Sequence, residues 1–425
     1  MKVYTQPDPT EWDELLKRPR IEDSLIRPRV EAILDDVRRE GDTALRRYAR
    51  QLDGAELTDL AVTPEEIDAA VAAVDKNLGD AIRHAALNIE KFHRAQRFSG
   101  IDVSIAPGIT CWQRSVPIQR VGLYVPGGSA PLFSTVLMLA IPARIAECPE
   151  IVLCSPPNRE GKIADVILFA AKLCGVTKIF KAGGAQAIAA MAYGTESVPK
   201  VDKIFGPGNQ YVTVAKQLVS VSDVAIDMPA GPSEVMVLAD ETANPRFVAA
   251  DLLSQAEHGP DSQSILVTDS PALASRVEQK VAIQLQTLSR RELAARSIEN
   301  SRIFVLNSRS EMIALANRYA AEHLILSVAD ARQVAEQITA AGSIFIGNYT
   351  PESAGDYASG TNHTLPTSGW AASYSGVNLD SFMRKITYQE ITRQGLEHLG
   401  GVIEAMARAE GLDAHARAVT LRLED

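Results

Sequence analysis

From Arg120 to Ile346 short β-branched runs alternate with amphipathic stretches, and this alternation constrains the chain more than any other feature. Residues 121–125, 151–154, 178–180, 203–205, 235–238, 264–268, 303–306, 324–328 and 343–346 read as strands. Several of the stretches between them carry helix start signals: proline directly after Asn244, Ser308 three residues ahead of Glu311, and Asp330 as a cap. Strand and helix in alternation mean an α/β protein with largely parallel pairing, because parallel neighbours need a long crossover. So many strands imply more than one sheet, and Pro229-Ala-Gly-Pro232 is the natural crossing between two lobes.

Residues 1–100 read as helical, with apolar residues at helical spacing over 25–48 and 64–92, and residues 382–425 read as helix without strand runs. The stretch 348–367 has neither period and is rich in Gly, Pro, Ser, Thr and Asn. Loops of that length inside compact domains are usually functional. The predicted architecture is α/β, with two Rossmann-like three-layer α/β/α lobes, a helical N-terminal region and a helical C-terminal arm. Its segments are 1–25 (N-terminal helices), 26–119 plus 234–375 (a first, discontinuous lobe), 120–233 (a second lobe) and 376–425 (the arm).

Composition removes several function classes. Lys+Arg 43 against Asp+Glu 53 gives a net charge of −10, so no basic field exists to collect nucleic acid or an anionic membrane surface. Cys111, Cys148, Cys154 and Cys174 show no paired spacing and lie in or beside apolar segments, as expected in a reducing compartment. The start of the chain lacks the apolar core of a signal peptide. The longest apolar stretch, 130–143, is broken by Pro131, Ser134, Thr135 and Pro142, short of the ~20 residues a span needs. The reading is a cytoplasmic protein.

Most of the seven histidines fall in the second half of the chain, and there the chemistry concentrates. In Pro245–Pro260 the Gly259-Pro260 pair stops a helix, which places Gln255 and His258 in its last turn on one face. An imidazole and an amide oxygen at the negative end of a helix dipole suit a borderline divalent cation, although a histidine there is more often a simple cap. Glu322-His323 joins a helix to a strand. Taken alone it reads first as a surface acidic–basic pair, and otherwise as two proton acceptors of different basicity at a sheet edge. Gly206-Pro-Gly-Asn209 and Ala182-Gly-Gly-Ala-Gln186 each follow a strand and open a helix, a geometry that offers backbone N–H groups to an anion; a complete dinucleotide fingerprint is missing. Cys154 and Cys174 lack cationic neighbours and read as inert core thiols rather than nucleophiles.

At Val121-Gly-Leu-Tyr-Val-Pro-Gly-Gly128, Gly206-Pro-Gly-Asn-Gln-Tyr-Val212, Asp227-Met-Pro-Ala-Gly-Pro-Ser-Glu-Val235, Leu252-Leu-Ser-Gln-Ala-Glu-His-Gly-Pro-Asp261, Ala321-Glu-His-Leu324 and Gly355-Asp-Tyr-Ala-Ser-Gly-Thr-Asn-His363 the sequence resembles the L-histidinol dehydrogenase family. The similarity runs from about Arg120 to His415 and is looser before it. It departs in small ways: Ala321 stands where proline is frequent, and Thr364 where valine is common. The resemblance implies a zinc ion on Gln255, His258, Asp356 and His415, the last reaching in from the partner of a homodimer. It implies Ser233, His363 and Glu410 near the substrate, and Tyr124, Gln186 and Asn209 against NAD. It further implies that L-histidinol is oxidised through L-histidinal to L-histidine with two NAD, His323 serving as base and Glu322 activating water. A zinc hydrolase in which Glu322 activates a metal-bound water is the alternative.

Overall fold

The computed structural model describes residues 1–19, 23–127, 130–229 and 231–424. Gly128 and Ala230, which belong to two of the motifs above, lie outside the described residues, as do residues 20–22 of the N-terminal segment. In chain order the strands are β1 (Lys2–Thr5), β2 (Ile101–Ala106), β3 (Ile109–Pro117), β4 (Arg120–Tyr124), β5 (Glu150–Ser155), β6 (Lys178–Lys181), β7 (Lys203–Phe205), β8 (Ala225–Ile226), β9 (Glu234–Ala239), β10 (Gln263–Thr268), β11 (Arg302–Val305), β12 (His323–Ser327), β13 (Ser343–Ile346) and β14 (Met383–Ile391). Every strand expected between 121 and 346 forms, with ends shifted by no more than two residues.

Two parallel sheets carry the molecule. One runs β1-β11-β10-β9-β12-β13 and the other β6-β5-β4-β7-β8, as the α/β pattern predicts. β9 and β10 are buried along their whole length, which is why Glu234-Val-Met-Val-Leu-Ala239 reads as a nearly continuous apolar run instead of an alternating one. The helix Pro245–Ala256 makes the crossover between them, started by the Asn244 side chain, which accepts the Arg246 N–H at 3.0 Å. Ser308 likewise caps the helix Arg309–Tyr319, but Glu311 reaches the N–H of Asn307 and not that of Ser308. Asp330 makes no side-chain cap and instead faces Arg309 at 3.5 Å. The chain passes from the second sheet to the first between Ile226 and Glu234, the span that holds the Pro-Ala-Gly-Pro crossing.

Four expectations need correction. The sequence pattern places residues 26–119 in one lobe with 234–375, yet the helices within 26–94 clothe the β4-centred sheet. Ile26, Val30, Leu34 and Val37 of the helix Asp23–Glu40 share a core with Ala187, Ile188 and Val212, and Ile67, Ile82 and Ile89 share one with Val121, Leu123 and Leu168. An apolar helical stripe declares a buried face without declaring which sheet buries it. The N-terminal segment is not wholly helical, because β1 adds an edge strand to the β9-centred sheet, with Tyr4 stacked on Phe304 at 5.5 Å. The arm contains a strand as well: β14 pairs antiparallel with β3, and β3 with β2, in a third sheet. Both faces of β14 are largely exposed, so no apolar alternation marked it. Finally, the stretch 348–367 is not all loop, since Glu352–Tyr357 forms a short helix. Beyond β14 the arm is helical as read, Arg393–Ala409 packing on Asp413–Glu424. No helix among the described residues is long and apolar enough to cross a membrane.

Candidate active site

Glu322 and His323 stand where the helix Arg309–Tyr319 ends and β12 begins, and the parallel register sets His323 beside Val235 at the start of β9. They are 5% and 3% exposed, so the surface-pair reading is wrong: this is a buried acid and imidazole. The backbone of Glu234 holds both. Its N–H donates to Glu322 Oε2 at 3.0 Å, and its carbonyl lies 3.4 Å from His323 Nδ1. Glu322 Oε2 and Glu352 Oε1 also face Nδ1, each at 3.6 Å. The Glu234 carbonyl, an acceptor only, favours the tautomer with the ring proton on Nδ1, which leaves the lone pair on Nε2. Nε2 is buried without a hydrogen-bond partner, 3.6 Å from Asp356 Oδ1.

Gln255 lies in the last turn of Pro245–Ala256, while His258 sits just past the helix end, its N–H reaching the Gln255 carbonyl at 3.2 Å. That helix packs against Glu352–Tyr357, whose Glu352 and Asp356, four apart, share a face. Ligand atoms of His258, Glu352 and Asp356 come within 4.8 Å of one another. Both side-chain polar atoms of Gln255, which is wholly buried, and Glu352 Oε1 lack partners. Buried polar atoms are rarely left so, and this concentration of orphaned oxygen and nitrogen donors fits a borderline divalent ion such as zinc. Glu352, which the stretch 348–367 carries with Asp356 and His363 as a potential ligand, joins the cluster although the ligand set implied by the resemblance leaves it out. What the sequence concealed is the helix that sets it one turn before Asp356, because Pro351 and Gly355 read as loop.

Burial dominates the electrostatics. It pushes the His323 pKa down to about 3, helped by the neighbouring His258, and that of His363 down to about 4. His258 opens onto solvent at the mouth of the cluster, yet protein on its other sides still lowers its pKa, against the pull of Asp356. Burial raises Glu322 and Glu352 well above the ordinary carboxylate range and lifts Asp356 to about 6. Imidazoles held neutral, with lone pairs free to accept, stand beside carboxyls that burial makes hold their protons more tightly, so acid and base groups between which protons can pass meet at one place.

His363 Nδ1 bonds the Asp356 carbonyl at 2.9 Å, while Nε2 meets Thr135 Oγ1 at 3.3 Å on the helix Phe133–Ile145, which follows β4. The amino edge of one sheet thus faces the carboxyl edge of the other. Ser233 borders this region in a cavity it shares with Arg18, Asp261 and Ser368. Glu410 and His415 do not join the cluster within one chain. They are exposed on the arm, and no bond among the described residues ties them to it. At the carboxyl ends of the second sheet, the Tyr124 hydroxyl accepts the Gly184 N–H at 3.1 Å, and Gln186 is buried in the first turn of Gly184–Tyr193 with Oε1 unpartnered. Asn209, exposed, caps Gln210–Ser220 by accepting the Val212 N–H at 3.1 Å. Gly206 has φ +127, and a Cβ there would fall 2.1 Å from the Tyr124 carbonyl, so only glycine lets the two turns approach. Two helix N-termini open at this edge, where α/β sheets take up phosphates. The thiols are bystanders: burial pushes Cys148, Cys154 and Cys174 up to about 12, and Cys111 is only half-buried.

A family model described as histidinol dehydrogenase matches residues 16–423, a longer reach than the motifs had indicated. The chain is 60% identical over 425 residues to a histidinol dehydrogenase of Bacteroides fragilis, covering 100% of this chain and 99% of that protein. It is 54% identical over 419 residues to one of Salmonella typhimurium, covering 98% and 95%. The crystal structure of histidinol dehydrogenase from Elizabethkingia anophelis superposes with a TM-score of 0.97 at 52% identity, over 100% of this chain and 98% of that one.

Proposed function

The chain belongs to the histidinol dehydrogenase family, and from that premise we propose that it oxidises L-histidinol through a held L-histidinal to L-histidine, with two NAD reduced in succession. The observation that carries the reading is the buried His323 Nε2, neutral and unpartnered, beside Glu322 on one strand edge. His323 takes the hydroxyl proton of the alcohol at Nε2 while its Nδ1–H stays on the Glu234 carbonyl. That proton passes to solvent before the second step. Glu322 in its ionised form, a stronger base than an ordinary carboxylate because burial disfavours its charge, draws a proton from water as the oxygen adds to the aldehyde carbon. His323 then accepts the hydroxyl proton of the hydrate, and the carboxylate of the product results. Tyr124, Gln186 and Asn209 would hold NAD, which would supply the hydride acceptor for both oxidations.

Zinc would be held by Gln255, His258 and Asp356 with His415 of the partner subunit, and would orient the substrate through its amino and imidazole nitrogens. The orphaned Gln255 amide and the oxygen donors around it support that ligand set, with Glu352 near enough to share it. Ser233, His363 and Glu410 of the partner subunit complete the substrate pocket. A homodimer with shared sites accounts for the arm, where Val402, Met406 and Leu421 are exposed around a helix pair that meets its own chain mainly through β14.

Separate tests of the two oxidations examine the assigned roles. His323→Ala should slow both by about 10²–10⁴-fold, whereas Glu322→Ala should chiefly slow oxidation of added L-histidinal, which needs water. Normal histidinal turnover by Glu322→Ala would overturn its role.

A further inference from the structure

Arg18 lies 216 residues before Glu234 in sequence, yet grips its carboxylate with both arms, Nε to Oε2 at 2.5 Å and Nη2 to Oε1 at 2.9 Å. The Glu234 side chain is 2% exposed and that of Arg18 16%. Arg18 Nη2 also donates to the Tyr319 carbonyl at 2.6 Å, and the guanidinium lies over the Tyr319 ring, 3.8 Å from its centroid. The Tyr319 hydroxyl completes the set by donating to Gln263 Oε1 at 2.8 Å, on β10 between β9 and β11. One cation therefore ties down both backbone segments that present the acid and the imidazole. Glu234 opens β9 and bonds Glu322 and His323 through its N–H and carbonyl; Tyr319 ends the helix that leads into Glu322. Between them Ala320 sits at φ +52, a left-handed conformation that a residue with a Cβ adopts only when its surroundings enforce it.

The geometry points to Arg18 and Glu234 as positioning residues for the oxidation. By fixing the β9 backbone, the pair keeps the Glu234 carbonyl on His323 Nδ1 and so keeps the basic lone pair on Nε2, while the Glu234 N–H keeps Glu322 in line for water. This rests on the roles of His323 and Glu322 proposed above. A buried ion pair of this kind returns little net stability, because desolvation of the two charges offsets their attraction. Its bidentate fork is what a point charge such as lysine cannot reproduce. Both residues border the cavity that holds Ser233, and the role assigned to them is exerted through the backbone of β9.

Steady-state kinetics of the zinc-loaded enzyme and its Arg18→Gln and Arg18→Lys variants test the inference, together with nitrogen NMR of ¹⁵N-histidine-labelled protein in which the His323 signal is assigned by its loss in His323→Asn. A displacement of the order of 1 Å at a reacting group costs about 10²-fold. Both Arg18 variants should thus lose about 10–100-fold in kcat while KM for L-histidinol stays within about threefold. In the unsubstituted enzyme the His323 ring should carry its proton on Nδ1, and in the variants it should be a mixture of tautomers. A folded Arg18→Gln enzyme with unchanged kcat, or a wild-type ring protonated on Nε2, would overturn the inference. If Arg18→Gln does not fold, Arg18→Lys and the wild-type tautomer decide. Full activity in His323→Asn would sink the proposed function itself, whereas an inactive His323→Asn beside a normal Arg18→Gln would sink only the positioning role.

Discussion

Burial fixes the protonation of His323: with the imidazole pushed down to about 3, the ring is already a free base at the pH where an ordinary histidine, near 6.5, is half charged. The acid limb of kcat that belongs to His323 should therefore lie well below 6.5. A limb at 6.5 that vanishes in His323→Asn would contradict this environment. Asp251, behind the cluster on the helix Pro245–Ala256, shows the opposite shift, its carboxyl lifted by burial to about 7 against the relief of a backbone bond from Glu352. A raised pKa means that its share of stability is whole below the ordinary carboxylate range and is lost as pH climbs from about 4 to about 7. Each unit is worth about 1.4 kcal/mol, so the loss is at most about 4 kcal/mol. Asp251→Asn should accordingly raise the Tm of the metal-free protein relative to wild type at pH 8 and not at pH 4. Equal shifts at both pH values would show that the carboxyl is not held neutral.

Single elements separate packing from ligand contact. Asn209 caps a helix, so Asn209→Ala should cost about 1 kcal/mol of stability quite apart from NAD. Asn209→Ser keeps the cap and isolates the cofactor contact. If Asn209→Ser restores Tm but leaves KM for NAD raised, the side chain touches NAD; recovery of both makes it a cap alone. Elements were legible where local pattern matched burial. β9 and β12 announce themselves through runs of branched residues closed in on both faces, and Gln255 and His258 through their spacing ahead of Gly259-Pro260. β14 was illegible because its Ile386 and Tyr388 face solvent as openly as Arg384 and Lys385 do. The helices of 26–94 were legible as helices but not as covers for the second sheet, since that choice depends on partners far along the chain. Glu352 was legible as a potential ligand but not as a helical neighbour of Asp356, since Pro351 and Gly355 read as loop, and the grip of Arg18 on Glu234 joins residues too distant for any spacing rule to connect.

On the scale of the whole molecule, the amino edge of the β9–β12 sheet, with its acids and imidazoles, confronts the carboxyl edge of the β4–β7 sheet, with its helix N-termini. In the proposed function the usual crevice outside the carboxyl ends of strands would take the nucleotide, whereas the residues proposed to handle protons come from the other end of a second sheet. Glu410 and His415 stay outside this cleft in their own chain, and in the proposed dimer they enter that of the partner. Mixing inactive His415→Ala with inactive His323→Ala under subunit exchange should restore part of the activity, because some dimers then hold one intact site. No recovery after exchange is verified would argue that each chain builds its site alone. The proposed reaction is tested most directly by NADH formation by the purified protein from L-histidinol and NAD, before and after the metal is stripped and zinc restored. About two NADH per histidinol, lost with the metal and regained with zinc, is the predicted result; a folded, zinc-loaded dimer that makes no NADH would contradict it and bring zinc-dependent hydrolysis forward.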